Sequence, residues 1–122
     1  MKMTKKRVSE LEGAQLDWAV AIASGFTRAR MSDVYLGEWI MPNGKQVFLP
    51  WFNPSTDWRR GGPIIERERI TIDPIEENQW AAHIVSVSVK GGWLRIIGPT
   101  PLIAAMRAFV ASKLGDEVEV PK

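Results

Sequence analysis

Two stretches carry residues whose types and spacing could do chemistry: Ser55-Thr56-Asp57-Trp58 and Gly98-Pro99-Thr100-Pro101. In the second, Thr100 reads as a helix N-cap, with Pro101 at the first helical position and an alanine-rich body behind it. A helix start leaves backbone N–H groups unpaired and carries partial positive charge, so it suits a phosphate. The expected cradle is Thr100 with the N–H groups of residues 102 and 103, and Arg107 adds charge from within the helix. Gly98-Pro99 allows a close approach that a bulky side chain would block. The plain alternative is a helix cap, worth ~1 kcal/mol.

In the first stretch, Asp57 and Ser55 could read ribose hydroxyls or a base edge, with Thr56 in the same polar run. Trp58 or Trp51 could stack on a base, a contact worth ~1–3 kcal/mol in nucleic-acid systems. The local alternative is a turn, because Ser, Thr and Asp after a proline bond readily to their own backbone. Arg59 supplies a second cation, and Glu66 beside the Gly61-Gly62 pair could face a ligand. Its neighbours Arg67, Glu68 and Arg69 read as a solvated charged face.

Catalysis finds little support. His83 is the sole histidine and there is no cysteine, so thiolate nucleophiles and zinc sites of the usual kind are ruled out. Nothing places His83 beside a serine, so a non-catalytic protein with no cofactor and no metal is expected. A net charge of +2, with carboxylates at Glu66, Glu68, Asp73, Glu76 and Glu77, makes nucleic acid an unfavoured partner. No apolar run approaches the ~18 residues of a membrane span, and the basic N-terminus is followed by no signal-like segment. A cytoplasmic protein is expected.

At 122 residues the chain fits one α+β domain, a short mostly antiparallel sheet with two main helices packed on it. Residues 1–8 read as a flexible or edge segment, and Ser9-x-x-Glu12 has capping-box spacing. Leu16 to Ala23 is an apolar helix interrupted by Asp17, whose carboxylate needs a partner such as an arginine or an indole N–H. Short strands are expected at Val34–Leu36 and Gln46–Leu49 about a Pro42-Asn43-Gly44 turn. Residues 51–62 read as a loop, Pro63 as the first position of a short helix, Ile70–Ile72 as a strand and 73–78 as an acidic surface loop. From Trp80 to Ile97 the pattern is a hairpin about Gly91-Gly92, with His83, Val85, Val87 and Val89 on one face. A last helix over 101–114 carries a stripe at Ile103, Met106, Val110 and Leu114, and Glu117–Pro121 alternates as a final strand.

Leu16-Asp17-Trp18-Ala19-Val20-Ala21, the Asn53–Trp58 and Gly61–Glu68 blocks, and Gly98 through Pro121 together resemble the NinX-like proteins of tailed bacteriophages and prophages. Residues 26–50 and 82–97 lie outside that likeness, so the hairpin is expected as an insertion. The resemblance implies a phage-encoded accessory protein working in the bacterial cytoplasm, of the kind that neutralises a host defence. Such a protein would sequester a phosphorylated, nucleotide-like signal in a pocket of Ser55, Thr56, Asp57, Trp58, Arg59, Gly61, Gly62, Glu66, Thr100 and Arg107. The alternative is an inhibitor or accessory factor that grips a host protein, and self-association is open on either reading.

Overall fold

A computed structural model describes residues 2–28, 38–86 and 91–122. The chain runs β1 (Met3–Arg7), α1 (Gly13–Ala23), β2 (Thr27–Arg28), β3 (Glu38–Ile40), β4 (Gln46–Phe48) and α2 (Trp58–Glu68). It continues through β5 (Thr71–Glu76), β6 (Gln79–Val85), β7 (Trp93–Gly98), α3 (Pro101–Leu114) and β8 (Glu117–Pro121), with single 3-10 turns at Val8–Glu10 and Leu49–Trp51. This is a mixed α+β fold, as expected, but with three α-helices and three small antiparallel sheets among the described residues.

α3 is the axis of the molecule. Thr100 Oγ1 accepts the Ile103 N–H at 3.1 Å, Pro101 opens the helix, and Gly115 closes it at φ +93°. From Leu102 to Ala111 only Ile103 is not buried, so the expected single stripe is really a nearly complete buried cylinder, apolar except at Arg107. Its alanines let neighbours come close on several sides: α1 on one, the β5-β6-β7 meander on another. At Gly98 the contact is with the helix backbone itself, for a Cβ there would stand 2.6 Å from the Ala104 nitrogen.

Several local expectations are corrected. Of the two expectations for the N-terminal segment, the edge one is met and the flexible one is not: residues 3–7 form a strand paired along its whole length with β8. The Ser9–Glu12 spacing forms no capping box, since Val8–Glu10 make a 3-10 turn and Glu12, without a side-chain bond, precedes α1. α2 begins at Trp58, five residues before Pro63, because Asp57 caps it by accepting the Arg59 N–H at 2.8 Å. Pro63 therefore sits inside the helix, where it cannot donate to the Arg59 carbonyl. The acidic run is mostly strand, β5, with the turn confined to Glu77 and Asn78, the latter at φ +58°.

The structure decides which face of the hairpin is buried. Ala82, Ile84 and Ser86 point inward, whereas Val85 is 60% exposed opposite Trp93 at 59%. Both faces carry apolar residues, so alternation alone cannot tell which one α3 covers. Ser86 N–H donates to the Gly92 carbonyl at 2.8 Å, so Gly91-Gly92 is not a self-contained two-residue turn. With Ala82 and Ile84 in the common core, this hairpin is part of the domain's interior and no appendage. The Pro42–Gly44 turn forms as expected and joins β3 to β4; Val34–Leu36, Val87 and Val89 lie outside the described residues.

Around α1 the core is aromatic. Trp18 meets Trp39 edge-on at 4.9 Å, and the Arg28 guanidinium lies 5.1 Å over the Trp18 ring.

Candidate functional site

The turn before α2 is held from beneath by α1. Asp17, itself buried, accepts the Ser55 N–H at 2.9 Å, while Thr56 and Asp57 N–H groups both donate to the Asn53 carbonyl. The expected partner of Asp17, an arginine or an indole, is thus a backbone amide 38 residues away. Burial pushes the Asp17 carboxyl above its ordinary value. The Ser55 amide bond pulls it back, and the nearby hydroxyl adds to that pull without forming a hydrogen bond of good geometry.

A raised carboxyl pKa has a definite sign. Between 3.8 and the folded value, the folded state holds the proton more firmly than the unfolded chain does. Asp17's favourable contribution is therefore present below 3.8 and lost as pH rises through the folded value. Asp17→Asn keeps the acceptor and removes the buried charge. It is expected to melt above the parent at neutral pH, with the two melting curves converging in acid. Asp57 and Glu68 titrate the opposite way, but they are common to both proteins and cancel in the difference.

Asp57 is occupied as a cap and ion-pair partner. The Arg59 N–H holds its carboxyl below the ordinary range, as do the charges of Arg59 and Arg60, at 3.6 and 3.2 Å. Gly61 then brings α2 against the turn, since a Cβ there would lie 2.5 Å from the Pro54 oxygen and 2.6 Å from Leu102 Cδ2. That approach joins two parts of the chain some forty residues apart.

Between them lies a hollow of about 280 Å³. Ser55, Thr56 and Trp58 form one wall, and Thr100 to Ile103 the other. The two chemistry-bearing stretches therefore meet in space. Trp58 is 55% exposed at the rim, and the buried Ser55 Oγ has no hydrogen-bond partner.

The remaining expected residues are elsewhere. Arg107 is buried; its Nε donates to the Leu11 carbonyl at 2.7 Å and its Nη1 to the Ile97 carbonyl at 2.9 Å. It ties two chain segments together and does not reach the hollow. The Ile103 N–H is consumed by Thr100, which leaves Leu102 as the first-turn N–H without an intrahelical partner. Asp57, Arg59, Gly62 and Glu66 do not line the cavity, and Gly61 shapes it only by letting α2 approach. Glu66 is exposed about 12 Å along the helix axis from Trp58, at 1.5 Å per residue. No charged side chain lines the hollow, which corrects the electropositive pocket expected from sequence.

Residues 7–113 match the family model described as Bacteriophage P22, NinX. The chain belongs to the bacteriophage P22 NinX family. The matched span takes in both walls of the hollow, and it includes residues 26–50 and 82–97, where no likeness was apparent from sequence. What it omits is most of the β1–β8 ribbon. No curated protein matches the chain. Among the described residues, no helix is long and apolar enough to cross a membrane, and no cluster of His, Cys, Asp or Glu could hold a metal.

Sequence reasoning missed Asp17's part in setting the Ser55 wall. Its only signal was a carboxylate on an apolar helix, which announces a partner without naming it.

Proposed function

We propose that this NinX-family chain is a phage-encoded, non-catalytic binding protein of the host cytoplasm that captures a phosphorylated, nucleotide-like ligand at the hollow between the Ser55 turn and the start of α3. The observation that carries the reading is Ser55 Oγ, a buried hydroxyl without a partner on the wall facing a helix N-terminus. It stands beside the Asp17 carboxyl without a well-formed bond to it, so a bound group can take it as a partner. The Leu102 N–H and the helix dipole supply the anion's other contact, and Trp58 offers a ring on which a base stacks. At about 280 Å³ the hollow grips one end of such a ligand and leaves the rest on the surface, where Arg59 is exposed.

The test is a thermal-shift series with GMP, ADP and a cyclic dinucleotide, on the parent and on Ser55→Ala and Trp58→Ala. Linkage raises the melting temperature of the parent with at least one of them. Ser55→Ala stays folded without ligand, because the Ser55 amide keeps its bond to Asp17, yet loses the shift. No shift with any nucleotide, or a full shift in both variants, ends this reading.

A second reading, capture of a host protein, is favoured by one observation. Trp93 and Val85 stand directly opposite each other, both exposed, beside the edge of the β5-β6-β7 sheet. Tryptophan is a frequent interface anchor, and an edge strand offers backbone pairing. On that reading the nucleotide series is silent.

A further inference from the structure

We propose that a second hollow, on the other side of α2, is a site for a small aromatic carboxylate. It lies among the end of α1, the β3–β4 turn, the segment at Trp51 and Phe52, and α2, and measures about 260 Å³. Its wall is apolar, with Phe26 packed 4.6 Å from Phe52 beneath it. Three arginines, Arg59, Arg60 and Arg67, enter from α2, and no carboxylate lines it. A cavity of this size is below the ~300 Å³ at which sites for drug-sized ligands begin, so it admits about one ring with its headgroup.

The charge around it is unbalanced. Asp57 serves both Arg59 and Arg60, while Glu68 serves Arg67 at 3.0 Å and Lys113 at 3.2 Å. Two carboxylates thus answer four cations, and a single carboxylate in the hollow offsets half of the surplus.

Arg60 gives the headgroup its geometry. Its guanidinium carbon lies 4.0 Å from the centre of the Trp51 ring, and Nη1 is taken by Asp57. That leaves the Nε–Nη2 edge, of which Nε is buried and makes no hydrogen bond. Two parallel N–H donors on one edge match the two oxygens of a planar carboxylate. Ser24, also lining the hollow, has a buried Oγ with no partner. An apolar wall, a planar fork and a second unpaired hydroxyl together select a ring bearing a carboxylate over a bare anion or a neutral ring.

Benzoate titrated into ¹⁵N-labelled protein tests this, followed at the Arg60 Nε–H and Trp51 indole N–H resonances. Both are expected to move saturably. Acetate, which lacks the ring, and benzyl alcohol, which lacks the charge, are expected to bind at least about tenfold more weakly. Arg60→Lys, which keeps the charge and loses the two-donor edge, should weaken benzoate by a similar factor while leaving the core resonances in place. The proposal fails if the three probes act alike, if Arg60→Lys binds benzoate like the parent, or if the Arg60 and Trp51 resonances do not respond. It fails equally if phenyl phosphate or an acidic phenylalanine-bearing peptide saturates the site where benzoate does not.

Discussion

Gly98→Ala is expected to destabilise the protein by about 3 kcal/mol, at the upper end of what one inserted methyl group costs. The added Cβ would meet the Ala104 nitrogen at 2.6 Å, the Ala104 Cα at 2.9 Å and the Ile103 carbonyl carbon at 3.1 Å. All three atoms are backbone of α3, and none can swing aside as a side chain would. β7 and α3 must separate, and with them the strand's pairing with β6 and the Thr100 cap two residues on. For a domain of this size the loss corresponds to roughly 10 °C in melting temperature. Gly62→Ala is the internal control, because nothing lies within 4 Å of its added methyl and the position is helical. It is expected to be neutral or to stabilise by up to about 1 kcal/mol. Thermal and denaturant unfolding of both variants check the contrast. If Gly98→Ala unfolds like the parent, α3 and β7 do not meet backbone to backbone at this point. The tight approach that Gly98-Pro99 suggests from sequence is real, but what approaches is the protein's own helix.

What could be read from sequence follows the range of the forces involved. α3 was legible to its ends because caps are local: Thr100, Pro101 and Gly115 each act on neighbours within one turn. The turn at Pro42–Gly44 is local in the same way. The start of α2 was obscured because Gly61-Gly62 lowers helix propensity by about 1 kcal/mol per glycine. Tertiary contact reverses that local preference, since only glycine lets residue 61 meet Pro54 and Leu102. Proline at 63 added a false start signal. Of the candidate site, the chemistry of Ser55, Trp58 and Thr100 was visible and their convergence was an expectation that the fold bears out. The roles of Asp17 and Arg107 were not, because each depends on backbone groups far away in the chain. A charged residue's sequence neighbours say that it needs a partner; only packing says whether the partner is a ligand or a carbonyl.

Arg107 puts that distinction to its strongest test. Hydrogen bonds from a charged donor contribute about 1.5–3 kcal/mol each, so Arg107→Ala, which removes two, is expected to cost about 4 kcal/mol. Burial lowers the guanidinium's pKa while the Glu12 carboxylate opposes that shift, and arginine stays charged throughout the working pH range. The effect should therefore persist across neutral pH instead of titrating away, unlike the difference at Asp17. Arg107→Lys should fall between parent and alanine, since a single ammonium cannot reproduce a fork aimed at the Leu11 and Ile97 carbonyls from opposite ends. Equilibrium unfolding of the two variants gives the order parent, lysine, alanine. The lysine variant, where still folded, separates a structural role from a ligand-binding one. A structural Arg107 predicts lowered stability with the nucleotide shift retained, because the hollow's walls do not include it. Unchanged stability with a lost shift would instead return Arg107 to the binding site, and would mean that the start of α3 holds its anion from the helix body as well as from its first turn.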